Sequence, residues 1–107
     1  MRILEFNVRK QRLTKKIGCD FDGLVAGSVG YLRARFLFLD NEWDKCDVKI
    51  VRFWVDNREH AVYIDENGFC DIPPEVTAKQ LFGVSLLGVA PGYKIETNRT
   101  IVKQGVI

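Results

Sequence analysis

The sequence has few of the residues from which active sites and metal sites are usually built. It contains one histidine, His60, and three cysteines, Cys19, Cys46 and Cys70. His60 lies at the start of a predicted strand beside Glu59, a position more typical of a solvated histidine than of a catalytic base. The cysteines show neither the even number of a disulfide framework nor the C-x-x-C spacing of a zinc site. We therefore expect three reduced thiols, no metal site, no cofactor and no enzymatic activity.

Long apolar runs and a strong charge bias are also absent. No apolar run approaches the roughly 18 residues of a transmembrane helix, which predicts a soluble chain. The net charge of +2 is too small by itself to indicate nucleic acid or a membrane as a partner. The charge run RKQRLTKK, residues 9–16, has no aromatic residues between its cations, so a solvated loop explains it better than a nucleic-acid surface. The start, MRILEFNVRKQ, lacks the features of a secretory signal, and we expect no signal peptide.

Two short acidic motifs resemble the beginning of a calcium-binding loop. They are DFDG, residues 20–23, and DENG, residues 65–68. Both lack a third oxygen ligand before the glycine and the bidentate glutamate at the twelfth position of such a loop. We interpret both motifs as turns.

Alternation with a period of two, the pattern of β-strands, dominates the chain. In residues 32–39 one face would carry Leu32, Ala34, Phe36 and Phe38, and the other Arg33, Arg35, Leu37 and Leu39. In residues 48–55 the two faces would carry Lys49, Val51, Phe53 and Val55, and Val48, Ile50, Arg52 and Trp54. Segments 3–8, 60–65 and 81–89 repeat the pattern, with glycine, asparagine, aspartate or proline between them.

The breaks between these segments indicate the fold class. Asn67–Gly68 is a signal for a β-hairpin, and the prolines of IPPE predict one short helical turn near 73–80. Several short strands with regular turns predict an all-β protein. We expect an antiparallel β-sandwich, Ig-like or jelly-roll-like, of about seven to eight strands, forming a single domain over residues 1–107.

The segments 32–39 and 48–55 carry more apolar residues than a sheet with one solvated face needs. If Phe36 and Phe53 face the core, the outward set includes Leu37, Ile50, Arg52 and Trp54. Arginine alternating with aliphatic residues beside a tryptophan is typical of protein interfaces, and an arginine over the Trp54 ring would form a cation–π contact. Treating the two strands as neighbours, we predict that these four residues belong to one protein–protein contact. The alternative is that a loop or second sheet of the same domain covers this face.

The order of these segments resembles that of a known family. FNVRKQRLT (6–14) is similar to the opening strand of that family and VAGSVGYLRARFLFLDNEW (25–43) to its central strand. VKIVRF (48–53), YIDENGFCDIPPEV (63–76) and FGVSLLGVAPGYKIETN (82–98) are similar to the strands and hairpin that follow. Together they resemble the N-terminal β-sandwich domain of tail and baseplate proteins, of the baseplate upper protein type, from phages and prophages of Gram-positive bacteria.

The resemblance implies a virion structural protein or domain, a tail or baseplate adaptor that docks onto neighbouring tail subunits. Its partners would be other tail or baseplate proteins or copies of itself, with no nucleic acid and no membrane. It would be made in the bacterial cytoplasm and end in the virion. Proteins of this family usually continue into a stalk or receptor-binding part, whereas this chain stops at Ile107. An excised domain and a small free-standing virion protein both stay open.

A second hypothesis, from a different class, is a carbohydrate-binding β-sandwich module. Such modules present flat aromatic rings to sugars, and Trp43, Trp54 and Tyr93 are the available candidates. Against this hypothesis, the three aromatics do not form a spaced row that the sequence pattern places on one face.

Overall fold

The computed structural model describes residues 1–106, which form two packed β-sheets and one short helix. In chain order the elements are β1 (Arg2–Arg9), β2 (Arg12–Lys15), β3 (Leu32–Phe38), β4 (Val48–Val55), β5 (Arg58–Tyr63), β6 (Phe69–Asp71), α1 (Pro74–Thr77), β7 (Leu81–Ala90), β8 (Tyr93–Glu96) and β9 (Thr100–Lys103). The predicted all-β sandwich is confirmed, and so is the helical turn, which begins at the second of the two prolines. There are about nine strands, because short segments such as β2 and β6 also pair.

The strands divide between the sheets in a way that is not simply sequential. The first sheet has the order β2-β1-β3-β6, and the second has the order β5-β4-β7-β8, with β9 also paired to β7. The pairing of β1 with β3 is parallel, and the other named strand pairs are antiparallel. A parallel pair requires a crossover rather than a tight turn, and the long segment between β2 and β3 provides it.

The core lies between the inner faces of the two sheets. Phe6 of β1 stacks on Phe36 of β3 with ring centroids 5.3 Å apart, and Phe53 of β4 meets Phe82 of β7 edge-on at 6.2 Å. All four rings are buried. Aromatic side chains bury large apolar areas, so these pairs contribute much of the stability of the domain. The alternation pattern therefore identified the inner faces of β3 and β4 correctly.

The expectation that β3 and β4 are neighbours in one sheet is wrong. β3 belongs to the first sheet and β4 to the second. The connection between them contains Trp43, which is fully buried and packs against Phe38 with ring centroids 5.5 Å apart. Its indole Nε1 donates a hydrogen bond to the Lys10 carbonyl at 2.8 Å. Trp43 is therefore buried in the segment where the chain passes from the first sheet to the second.

The charge run is a hairpin and not a solvated loop. Lys10 has a φ of 53° in the turn, and β2 then pairs antiparallel with β1, with Arg9 opposite Arg12. Leu13 of β2 is buried in the core. This single apolar residue, inside a run of cations, gives β2 an inward face.

The Asn67–Gly68 turn does not connect two paired strands, because β5 and β6 lie in different sheets. The Gly68 N–H donates to the Asp65 carbonyl at 3.0 Å, and the Asp65 carboxylate accepts the N–H groups of Asn67 and Phe69 at 2.9 Å each. Of the two predicted turn residues, Gly68 alone has a positive φ, and a Cβ there would lie 2.5 Å from the Phe36 carbonyl oxygen. The dipeptide forms a local turn, but this turn does not determine which strand β6 pairs with.

Candidate interaction surface

The four residues predicted to form one contact lie on opposite sides of the sandwich. Leu37 is on the outer face of β3 in the first sheet. Ile50, Arg52 and Trp54 are on the outer face of β4 in the second sheet. The structure therefore brings the last three together and separates Leu37 from them by the thickness of the core.

On the outer face of the first sheet, the arginines contact other residues of the same sheet. Arg33 Nε donates to the Asp71 carboxylate at 2.9 Å, and Arg35 pairs with Glu5 at 3.5 Å. The two guanidinium groups also lie over the Phe69 ring, 5.1 and 5.0 Å from its centroid. The arginines that alternate with apolar residues in the sequence thus have partners on their own sheet.

On the second sheet, Arg52 lies at the centre of the outer face between two carboxylates. Its Nε is 3.2 Å from Glu59 and its Nη2 is 2.9 Å from Glu96. The residues opposite Arg52 on the flanking strands are Ala61 and Ser85. These small side chains leave room for the guanidinium group to lie along the sheet, so its charge is paired inside the domain.

Trp54 is held by the same sheet. Its Nε1 donates to the Ser85 hydroxyl at 2.9 Å, and the Arg99 guanidinium carbon lies 3.8 Å from the ring centroid. The residue opposite Trp54 on β7 is Gly83, where a Cβ would lie 2.7 Å from the Arg99 side chain. The predicted cation–π contact is therefore present, with Arg99 as the cation. In this part of the face, the Trp54 ring is therefore contacted by groups of its own domain.

We expect the Arg99–Trp54 contact to be measurable as a coupling of about 0.5–1 kcal/mol, the range for exposed cation–π pairs. The measurement is a double-mutant cycle of Arg99→Ala, Trp54→Ala and the double variant by chemical denaturation. Trp54→Ala itself should still fold, because the side chain is half-buried and outside the core. A coupling of zero would show that the two side chains do not stack in solution.

A strip of apolar residues occupies the other half of the outer face of the second sheet. We call it the apolar strip, and its residues are Val48, Ile50, Tyr63, Leu87 and Val89. Ile50 lies between Tyr63 on β5 and Leu87 on β7. Tyr63 is 74% exposed, and the other four are half-buried. The sequence pattern placed Val48 and Ile50 on this face but missed Tyr63, Leu87 and Val89, because these three are identified only by the pairing of β5 and β7 with β4.

The aromatics proposed as sugar platforms do not form a platform. Trp43 is 0% exposed. Arg99 lies over Trp54, and the Lys45 ammonium lies 4.4 Å from the centroid of the Tyr93 ring. The three rings therefore offer no shared flat surface to a sugar.

The acidic motifs and the thiols have ordinary structural surroundings. Asp20 accepts the N–H of Asp22 at 2.8 Å, so DFDG, like DENG, is a turn closed by its own carboxylate. Cys19, Cys46 and Cys70 are all free. Within residues 1–106 no group of three or more histidine, cysteine, aspartate or glutamate side chains comes together as a metal site would require.

Burial raises the pKa of the Cys70 thiol to about 12. At pH 8 this leaves a thiolate fraction on the order of one in ten thousand, and the thiolate is the reactive form. We expect iodoacetamide to label Cys70 far more slowly in the native protein than in denaturant. Peptide mass spectrometry measures this, with the half-buried Cys19 as internal control. Equal labelling of Cys70 in both states would contradict its burial.

The raised pKa of Cys70 also makes the free energy of unfolding depend on pH. The folded state holds the Cys70 proton more tightly than the unfolded chain, whose thiol has a pKa near 9.0. This contribution to the free energy of unfolding is therefore complete below pH 9.0 and is lost as the pH rises towards about 12.

Neither a protein-family model nor a curated protein matches the chain. None of the helical structure within residues 1–106 has the length and hydrophobicity needed to cross a membrane.

Proposed function

We propose that this chain is a structural component of a phage or prophage tail, a baseplate adaptor that docks onto neighbouring tail subunits. The proposal is supported by the resemblance of five consecutive segments to the baseplate upper protein type. The chain folds as the β-sandwich that this resemblance implies.

The observation that carries the docking part of the proposal is the apolar strip. An adaptor holds its neighbours through non-covalent contacts, whose centres are apolar and rich in aromatic residues. The strip has an exposed aromatic residue, Tyr63, at one side, with Ile50 and Leu87 beside it. The Arg52–Glu96 ion pair flanks the strip and supplies part of a polar rim. Trp54, which the sequence pattern predicted to belong to the contact, lies outside the strip.

Co-expression with the tail proteins encoded beside the gene tests this proposal. The chain should co-elute with at least one of them in size-exclusion chromatography. Leu87→Asp should weaken the complex, because it places a charge in the middle of the strip. Leu37→Asp is the matched control, since Leu37 is also half-buried and outward-facing but lies on the opposite sheet. Co-elution with none of these proteins, or equal binding by both variants, would contradict the proposed docking.

A further inference from the structure

β5 forms one edge of the second sheet, and the shorter strands β8 and β9, of four residues each, form the other. β5 pairs with β4 on one side and has no strand on the other. The Ile64 N–H donates to the Lys49 carbonyl at 3.0 Å, and the register places these two residues opposite each other. Hydrogen-bonded and non-hydrogen-bonded pairs alternate along an antiparallel ladder. The N–H and C=O groups of Glu59, Ala61 and Tyr63 therefore point away from β4.

These backbone groups are available to another chain. Within residues 1–106, no hydrogen bond outside the β4–β5 ladder involves the backbone of Glu59, Ala61 or Tyr63, and all three residues are exposed. β5 contains no proline, lysine or bulge, which are among the devices that block an edge strand, and its two charged residues, Arg58 and Glu59, lie at its first end. The edges of the first sheet are shorter: β2 has four residues, two of them exposed cations, and β6 has three. An open edge of this kind binds an extended strand through main-chain hydrogen bonds.

We propose that the strand added to this edge is β5 of a second copy of the chain, in antiparallel orientation, with Ala61 on the two-fold axis. In this register Ala61 faces Ala61 of the second copy, and Glu59 faces Tyr63 in both directions. Each free N–H and C=O of the three residues gains a partner. No like charges and no two bulky side chains lie opposite each other, either of which would disfavour the pairing. A two-fold interface requires such self-complementarity.

The charges near the ends of β5 are mixed. Asp56, Arg58 and Glu59 are exposed at the first end, and Asp65 and Glu66 follow the last. The antiparallel orientation is therefore set by the backbone register, in which the free groups of Glu59, Ala61 and Tyr63 are all paired.

The pairing joins the second sheets of two copies into one continuous sheet. It uses main-chain groups at the edge of β5, whereas Ile50 and Leu87 of the apolar strip stay on the outer face. Self-association and docking onto a tail protein share only Tyr63, whose main chain pairs with the second copy and whose side chain belongs to the apolar strip. The inference holds whether or not the chain belongs to a phage tail.

Cysteine cross-linking tests the register directly. Cα atoms of a hydrogen-bonded antiparallel pair are about 5.5 Å apart, within the range of roughly 4.4–6.8 Å that a disulfide spans. Ala61→Cys should therefore form a covalent dimer under mild oxidation. Glu59→Cys is the matched control: residue 59 faces residue 63 of the second copy and lies too far from its own equivalent. The wild-type protein, with its three native thiols, gives the background. Equal cross-linking by the two variants would overturn the proposed register.

Analytical ultracentrifugation tests the pairing without new thiols. The wild-type protein should show a monomer–dimer equilibrium, and Ala61→Pro should weaken it at least about tenfold, because proline removes an edge N–H that β4 does not use. Circular dichroism checks the fold of the variant. Should Ala61→Pro unfold the monomer, Tyr63→Glu provides the same test, since in this register it places a carboxylate opposite Glu59 of the second copy. A wild-type protein that is monomeric at about 1 mM, or a folded variant that dimerises as wild type does, would overturn the inference.

Discussion

Trp43→Ala is expected to lower the free energy of unfolding by about 3–5 kcal/mol, the range for truncation of a large buried aromatic side chain. Trp43 is fully buried between the two sheets, and its indole N–H bonds to the Lys10 carbonyl at 2.8 Å. β7 has a glycine, Gly88, beside the ring. A Cβ at this position would lie 2.8 Å from the ring and 2.5 Å from the Cys46 sulfur. The truncation would leave a cavity and an unpaired carbonyl at the point where the chain crosses between sheets.

Chemical denaturation measures this loss, and two variants give the comparison. Trp43→Phe keeps an aromatic ring but loses the hydrogen bond, so its loss should be smaller. Trp54→Ala removes the other tryptophan, which is half-buried on the outer face, and should also cost less. A denaturation midpoint for Trp43→Ala close to that of Trp54→Ala would contradict the assignment of Trp43 as the core residue of the crossover.

Phe36→Ala and Phe53→Ala are each expected to cost about 3–5 kcal/mol. The two residues lie on the inner faces of different sheets and are at most 2% exposed. Small domains have total stabilities of about 5–15 kcal/mol, so either variant could be close to unfolding at room temperature. Phe69→Ala is a matched control, because that ring lies on the outer face of the first sheet under Arg33 and Arg35.

The denaturation midpoints of these three variants decide the orientation of the strands. The two core variants should fall well below the wild-type protein, and Phe69→Ala should stay nearer to it. A nearly unchanged midpoint for Phe36→Ala or Phe53→Ala would mean that the inner and outer faces are assigned in reverse.

The strands and their inner faces could be predicted because that information is local. Successive side chains of a strand point to opposite faces, so the alternation around Phe36 and Phe53 was enough. β2 was harder to recognise, because Leu13 is its one buried residue and cations surround it. The sheet to which each strand belongs is not local information. It depends on Trp43, whose burial requires Lys10 and Gly88 from distant parts of the chain.

The candidate site was predicted only in part for the same reason. The excess of apolar residues on β4 was visible in the sequence. The side chains that contact the outer face of β4 come from other parts of the chain. Arg99 covers Trp54, and Glu59 and Glu96 pair with Arg52. Each of these partners is set by strand register, which the alternation of one segment does not contain.

The proposed role in a phage or prophage tail has one most direct test, which is the protein content of the particles themselves. Particles induced from the strain that carries the gene would be purified, and this chain quantified in them by mass spectrometry against a known tail protein. The proposal predicts that the chain is present at a constant ratio to that protein and remains after washing in high salt. Its absence from particles, together with abundance in the particle-free lysate, would contradict a structural role in the virion.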